Sequence, residues 1–167
     1  MKLVEFYRGE IPNNDGVFVD DILEYSYGQL EVDHSYVQWL FPLKERSMFN
    51  VDAPLLKDSE IVLFKSDPEL KSKFLKSAYM MLDYFGMYYH GGYVGWQEPN
   101  GNHKDPKWWL RHFNHNFLRM TRYLTSLRYL GLEDLSNLIY ECLLEVRDMY
   151  GQQSYEYWTE AVKAPLP

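Results

Sequence analysis

The chain has 167 residues, 46% of them apolar and 17% aromatic, which is enough for one domain with a substantial core and excludes disorder. A formal charge of -7 excludes general affinity for nucleic acid or anionic membranes, provided the charge is evenly spread. Cys142 is the sole cysteine, so an intrachain disulfide and a cysteine-rich zinc site are both ruled out and a reducing compartment is expected.

The first residues, Met1-Lys2-Leu3-Val4-Glu5, are broken by charge where a signal peptide needs an apolar stretch. No apolar run approaches 18 residues, so the reading is a soluble intracellular protein without a transmembrane segment. Apolar spacing is helical almost throughout and predicts an all-α fold, a single compact domain of about six helices over residues 1–167. A first helix is expected from about Phe18 to Tyr27, started by Asn14 or Asp15 and stopped at Gly28. A second follows Asp33 as N-cap and ends before Pro42. Asp58 caps a short segment through Phe64.

Asp67-Pro68 is a strong helix start, Gly86 a matching stop, and Leu70, Phe74, Leu75, Ala78, Met81, Leu82 and Phe85 form an inward stripe between them. Residues 86–105 hold five glycines and Pro99 among aromatics and read as an ordered surface loop. Asp105-Pro106 opens a further helical region whose main part runs from about His115 to Leu130 and stops at Gly131. Glu133 to Tyr150 and Ser154 to Ala164 are the last two helices, ended by Gly151 and Pro165.

Charge is not evenly spread. Residues 103–132 carry Lys104, Lys107, Arg111, Arg119, Arg122 and Arg128 against Asp105 alone, a basic island on an acidic chain. In the helix from His115, Phe113, Phe117, Met120, Leu124 and Leu127 are expected to face the core, and His115, Arg119, Arg122 and Ser126 to share another stripe. Two arginines one turn apart suit a carboxylate or phosphate; the plainer alternative is a solvated face paired with acidic helices. His112 and His115, with His103 nearby, lack the further ligands of a zinc site, and no metal or other cofactor is expected. Cys142 lies among Ile139, Leu143 and Leu144 and reads as a core thiol. The aromatic stretch Tyr88 to Trp96 is either a lid or a cover for its own core.

The block His34-Ser35-Tyr36-Val37-Gln38-Trp39-Leu40-Phe41-Pro42 mixes apolar residues with side chains that need hydrogen-bond partners when buried. Together with Phe6-Tyr7, Asp15-Gly16-Val17-Phe18, Leu43-Lys44-Glu45 and the stretch His115 to Leu132, it resembles the conserved N-terminal domain of the opioid growth factor receptor family. The resemblance spans Phe6 to about Ala161. It implies an all-α domain and a non-classical receptor that binds the pentapeptide Met-enkephalin at intracellular and nuclear membranes and restrains cell growth. Localisation is therefore expected to be cytoplasmic, with a nuclear or perinuclear component implied by the family.

The expected function is a non-catalytic peptide- or protein-binding module, with His34, Gln38, Trp39, His115, Asn116, Arg119 and Arg122 as ligand contacts. A Met-enkephalin-like peptide or a protein is the expected partner, with an anion at the basic island and no nucleic acid. The alternative is an enzyme or binding protein for an anionic small molecule, using a pocket of His34, Gln38, His115 and Arg119.

Overall fold

A computed structural model describes residues 1–166, which form nine α-helices and one two-stranded antiparallel sheet. The fold is mostly helical rather than all-α. The chain divides into two compact units at residues 80 and 81.

The first unit holds α1 (Lys2–Tyr7), α2 (Val19–Ile22), α3 (Tyr27–Val32), α4 (Val37–Leu40), α5 (Asp58–Ser66) and the start of α6 (Pro68–Tyr84). Six residues of α1 make too short a helix to persist by itself. It is held from elsewhere in the chain. Glu60, 1% exposed, accepts the Leu3 N–H at 3.2 Å on one oxygen and the Lys57 N–H at 3.1 Å on the other, satisfying donors at the starts of both α1 and α5. The ring of Tyr7 meets Phe64 at 5.0 Å and Phe74 at 6.1 Å, and its hydroxyl donates to the Leu40 carbonyl at 2.6 Å. Burial drives that phenol well above the ordinary tyrosine value, which keeps it a donor.

The expected helix from Phe18 to Tyr27 is two helices. Ser26 caps α3 in a reciprocal capping box: its hydroxyl accepts the Gln29 N–H at 3.2 Å while the Gln29 side chain accepts the Ser26 N–H at 2.9 Å. Gly28 therefore lies in the first turn of α3 instead of stopping a helix. Asp33 follows α3 and takes the N–H and hydroxyl of Ser35, so it caps no helix start, and α4 is a single turn beginning at Val37. The start of α5 comes at Asp58, one residue after its cap position, and the helix reaches Ser66.

α6 begins and ends as the sequence indicates. The Asp67 carboxylate accepts the Glu69 and Leu70 N–H groups at 2.9 and 3.3 Å. Leu70, Phe74 and Ala78 are buried in the first unit and Met81, Leu82 and Phe85 in the second, with Leu75 half-buried. Gly86 follows at φ +78°, and a Cβ there would stand against the Pro106 backbone.

The second unit continues with β1 (Met87–His90), β2 (Tyr93–Trp96), α7 (His115–Tyr129), α8 (Glu133–Leu144) and α9 (Gln152–Lys163). The expected surface loop contains a β-hairpin, with Met87 opposite Trp96 and His90 opposite Tyr93. Gly91 and Gly92 sit at φ +55° and +78°, the pair of positive values a two-residue primed turn demands. The Trp96 indole N–H donates to the Cys142 carbonyl at 3.2 Å, seating the hairpin on α8. α7 packs against both α8 and α9, and Phe117, Met120, Tyr123, Leu124 and Leu127 are all buried.

Two further boundaries differ from expectation. The run expected to Tyr150 ends as α8 at Leu144, followed by a 3-10 turn over Arg147–Met149, and the Tyr150 hydroxyl donates to the Leu143 carbonyl at 3.0 Å. α9 starts at Gln152, two residues early, with Gly151 at its cap. Among the described residues no helix is long and apolar enough to cross a membrane. Cys142 is buried, and burial, with Glu145 nearby, pushes its thiol up to about 12.

Gly86→Ala is expected to destabilise the protein by about 2 kcal/mol or more, through left-handed strain and collision with the Pro106 backbone. Gly101→Ala, which meets nothing within 4 Å, should be near neutral. Chemical denaturation of the two variants checks this. In a thiol titration with Ellman's reagent at pH 8, Cys142 should stay unreacted in the native protein and react once it is unfolded.

Candidate functional site

The sequence candidates in the first unit have separate fates. His34 is exposed, whereas Trp39 is 4% exposed, stacks at 5.1 Å on Phe6 and donates its indole N–H to the Asn14 side chain at 2.8 Å. Gln38 is half-buried, and its side-chain oxygen is enclosed without a hydrogen-bond partner among the described residues. Tyr36 of the same block is fully buried, its hydroxyl on the Leu30 carbonyl at 2.8 Å.

In the second unit, the polar stripe of α7 is interior in part. Arg119 is 6% exposed, Ser126 and Asn116 are fully buried, and the guanidinium of Arg119 lies 3.4 Å from the Tyr84 hydroxyl and 3.5 Å from the Asn116 oxygen. Tyr84 in turn donates to Asn116 at 3.0 Å. His115 and Arg122 are half-buried. Packing of α7 against α8 and α9 explains why Arg119 and Ser126 of that stripe, with Asn116 beside it, lie inside while His115 and Arg122 keep part of their surface. The rest of the basic island is dispersed: Arg128 donates to the carbonyls of Ala161 and Ala164, and Lys107 stands 5.7 Å from the Trp96 ring centre. His103 is committed to the Asp83 carbonyl at 2.6 Å, and among the described residues no three His, Cys, Asp or Glu side chains gather as a metal shell.

Phe113, expected in the core, is 68% exposed. The cause is local. Asn114 is the N-cap of α7, its side-chain oxygen accepting the Asn116 N–H at 2.9 Å while its amide group donates to the Trp109 and His112 carbonyls. Phe113 therefore stands outside α7, although the apolar period of that helix extends to it in the sequence.

Its exposed ring belongs to an open cleft of about 390 Å³, formed where the stretch entering α7 meets the stretch entering α9. Leu110, Arg111, Phe113 and Phe117 come from the former, and residues 148–151 with Gln153 and Ser154 from the latter. The apolar floor is fixed by ring contacts: Phe113 to Phe117 at 5.2 Å, Phe117 to Trp158 at 5.6 Å and Tyr150 to Trp158 at 4.7 Å. The Trp158 indole N–H donates to the Phe117 carbonyl at 3.2 Å. Arg147 locks the start of α9, donating to the Tyr150 carbonyl at 2.9 Å and to Gln152 at 2.7 Å, with its guanidinium over the Tyr150 and Tyr155 rings. Burial pushes the Tyr150 phenol up to about 12.

The polar groups of the cleft are few. Arg111 is held through Nε by Asp105 at 2.7 Å, and that hydrogen bond keeps the Asp105 carboxyl below the ordinary range. Ser154 is 7% exposed, and its hydroxyl bonds to no side chain or backbone group among the described residues. Asp148 is exposed at the rim. Such a site can hold an apolar group against phenyl rings while a few donors orient a polar end. Sequence reasoning missed the cleft because most of its residues lie outside the α-helices; the one signal was Gly151, a helix cap with no side chain to satisfy the amides after it.

Along the sequence, the family model described as the opioid growth factor receptor conserved region matches residues 1–164. Opioid growth factor receptor-like protein 1 of Mus musculus is 36% identical over 170 residues, covering 96% of this chain and 36% of the relative. The opioid growth factor receptor of Homo sapiens is 35% identical over 172 residues, covering 96% of this chain and 25% of the relative. Opioid growth factor receptor-like protein 1 of Xenopus tropicalis is 37% identical over 176 residues, covering 96% and 33%. The chain thus spans about a quarter to a third of the length of these relatives. No solved structure matches it.

Arg119→Gln is expected to lower stability by about 2 kcal/mol or more in every buffer, since it removes an interior donor to Tyr84 and Asn116. Melting curves in chloride and in sulfate at matched ionic strength test the assignment. Loss of a sulfate-specific stabilisation, with the chloride curve unchanged, would return Arg119 to the role of an anion ligand.

Proposed function

The chain belongs to the opioid growth factor receptor family, and from that premise we propose that it is a non-catalytic binding module whose ligand is a short peptide with aromatic side chains, Met-enkephalin or one like it. The observation that carries the reading is the cleft beside Phe113: a nearly pre-formed apolar floor, an exposed phenyl ring, and a small set of polar groups at its margin. Its chemistry favours holding over reacting. Ser154 has no base hydrogen-bonded to it among the described residues, and the Cys142 thiol is pushed up to about 12 in the core.

In this reading residues 1–164 act as one functional domain, which the family match running through both compact units supports. His34 and Gln38 remain secondary contact candidates of the first unit, while Trp39, Asn116 and Arg119 act inside the fold that presents the ligand surfaces. Growth restraint and a cytoplasmic, nuclear or perinuclear location are part of the same proposal, taken from the family likeness. The alternative of an enzyme built on His34, Gln38, His115 and Arg119 gains nothing, because the Arg119 guanidinium is enclosed and hydrogen-bonded.

Calorimetric titration with Tyr-Gly-Gly-Phe-Met should give a saturable heat with a dissociation constant below about 1 mM, and Phe113→Ala should weaken it. An absence of heat at millimolar peptide would remove this pentapeptide as the ligand.

A further inference from the structure

α9 is twelve residues long and starts at Gly151, which supplies no capping side chain, so the first amide N–H groups of the helix have no side-chain acceptor. These amides carry the positive end of the helix dipole. The same turn holds Ser154, 93% buried on the cleft wall with its hydroxyl unpartnered among the described residues. The Oγ itself is not among the fully enclosed unpaired polar atoms, so it keeps an opening to solvent, and the cleft is the opening its residue lines. A ligand acceptor there would give it the hydrogen bond that the protein does not.

A third donor comes from the other side. Asp105 occupies only Nε of Arg111, and no side chain or carbonyl among the described residues takes its two terminal amino groups. Uncapped helix amides, an unpartnered hydroxyl and a guanidinium edge are all donors, and they border a floor of phenyl rings. Asp148 adds the selectivity. Its exposed carboxylate at the rim penalises a second negative charge on the ligand, which disfavours a phosphate dianion and admits a single carboxylate.

We propose that this cleft binds a monocarboxylate carried on an aryl or alkyl body, the carboxylate received by the α9 N-terminus, Ser154 Oγ and the Arg111 terminal amino groups, and the apolar body by Phe113 and Phe117. The proposal rests on the reading of the cleft as the ligand site. Two sources share this chemistry: the C-terminal residue of an apolar peptide, and a small free aromatic acid.

The test is amide-resolved NMR of the isotope-labelled full chain with four probes: N-acetylphenylalanine, its primary amide, 3-phenylpropionate and inorganic phosphate. The acids should shift the Gln153 and Ser154 amides, and N-acetylphenylalanine should bind about tenfold tighter than its amide. Ser154→Ala and Arg111→Gln should each weaken the acid by roughly threefold to tenfold and leave the amide unaffected. Arg111 is exposed, so its variant keeps the comparison valid if Ser154→Ala disturbs the helix. A peptide source places N-acetylphenylalanine ahead of 3-phenylpropionate; a small-acid source reverses the order. Equal affinity of acid and amide, shifts located elsewhere, or saturable binding of phosphate at the same amides each overturns the proposal. If Tyr-Gly-Gly-Phe-Met binds equally as free acid and C-terminal amide, the carboxylate site falls and the peptide reading stands. If that peptide gives no heat while N-acetylphenylalanine shifts Ser154, the pentapeptide fails and the carboxylate site stands.

Discussion

The indole N–H of Trp158 gives its hydrogen bond to the carbonyl of Phe117, and the second unit is arranged around that one bond. A buried indole must find an acceptor, and taking it from the first turns of α7 fixes how α9 can lie on that helix. Once the two helices are fixed, the rings of Trp109, Phe117, Tyr150 and Trp158 have one way to meet. The helix starts then open toward a common space. The cleft is therefore a by-product of satisfying a tryptophan, with Arg147 clamping the turn where α9 begins.

The same economy governs polar residues elsewhere in the chain. Tyr7, Tyr36, Tyr150 and Trp109 are large side chains buried with their polar tips on backbone carbonyls; Tyr7, Tyr36 and Trp109 each close a carbonyl that a short or ending helix leaves open, and Tyr150 adds a second donor to the Leu143 carbonyl, which already accepts the Val146 N–H. Aromatic side chains here serve as long arms that carry a donor to the right place while filling volume. That is why a chain with so many tyrosines can be built from one-turn and two-turn helices such as α2, α3 and α4.

Long elements were legible in the sequence and short ones were not, for a physical reason. α6 and α7 carry several signals at once: Asp67-Pro68 or an upstream polar cap, an apolar period over many turns, and a terminal glycine. For α3 the decisive signal was the Ser26 to Gln29 pairing, hidden because Gly28 beside it reads as a stop. The hairpin was marked only by Gly91-Gly92, since strands of four residues with one buried position in β1 cannot show alternation. The block His34 to Pro42 identified the family, yet Tyr36 and Trp39 owe their types to interior bonds. Arg119 was misplaced because helical spacing says which residues share a face and not whether a neighbour covers it. The cleft depends on Phe113, Gly151 and Ser154, brought together by connections and helix ends that no period describes.

The shared carboxylate of Glu60 bears on the order in which the first unit forms. α1 is synthesised before α5 but has its start satisfied by a residue 57 positions later, and six residues cannot hold a helix unaided. The α1 segment therefore gains its helix start only once α5 has been made. In the finished molecule α1 and α5 should open together, so amide hydrogen exchange in the first turn of α1 reports on the integrity of α5, and the two helices form one cooperative unit despite their distance along the chain.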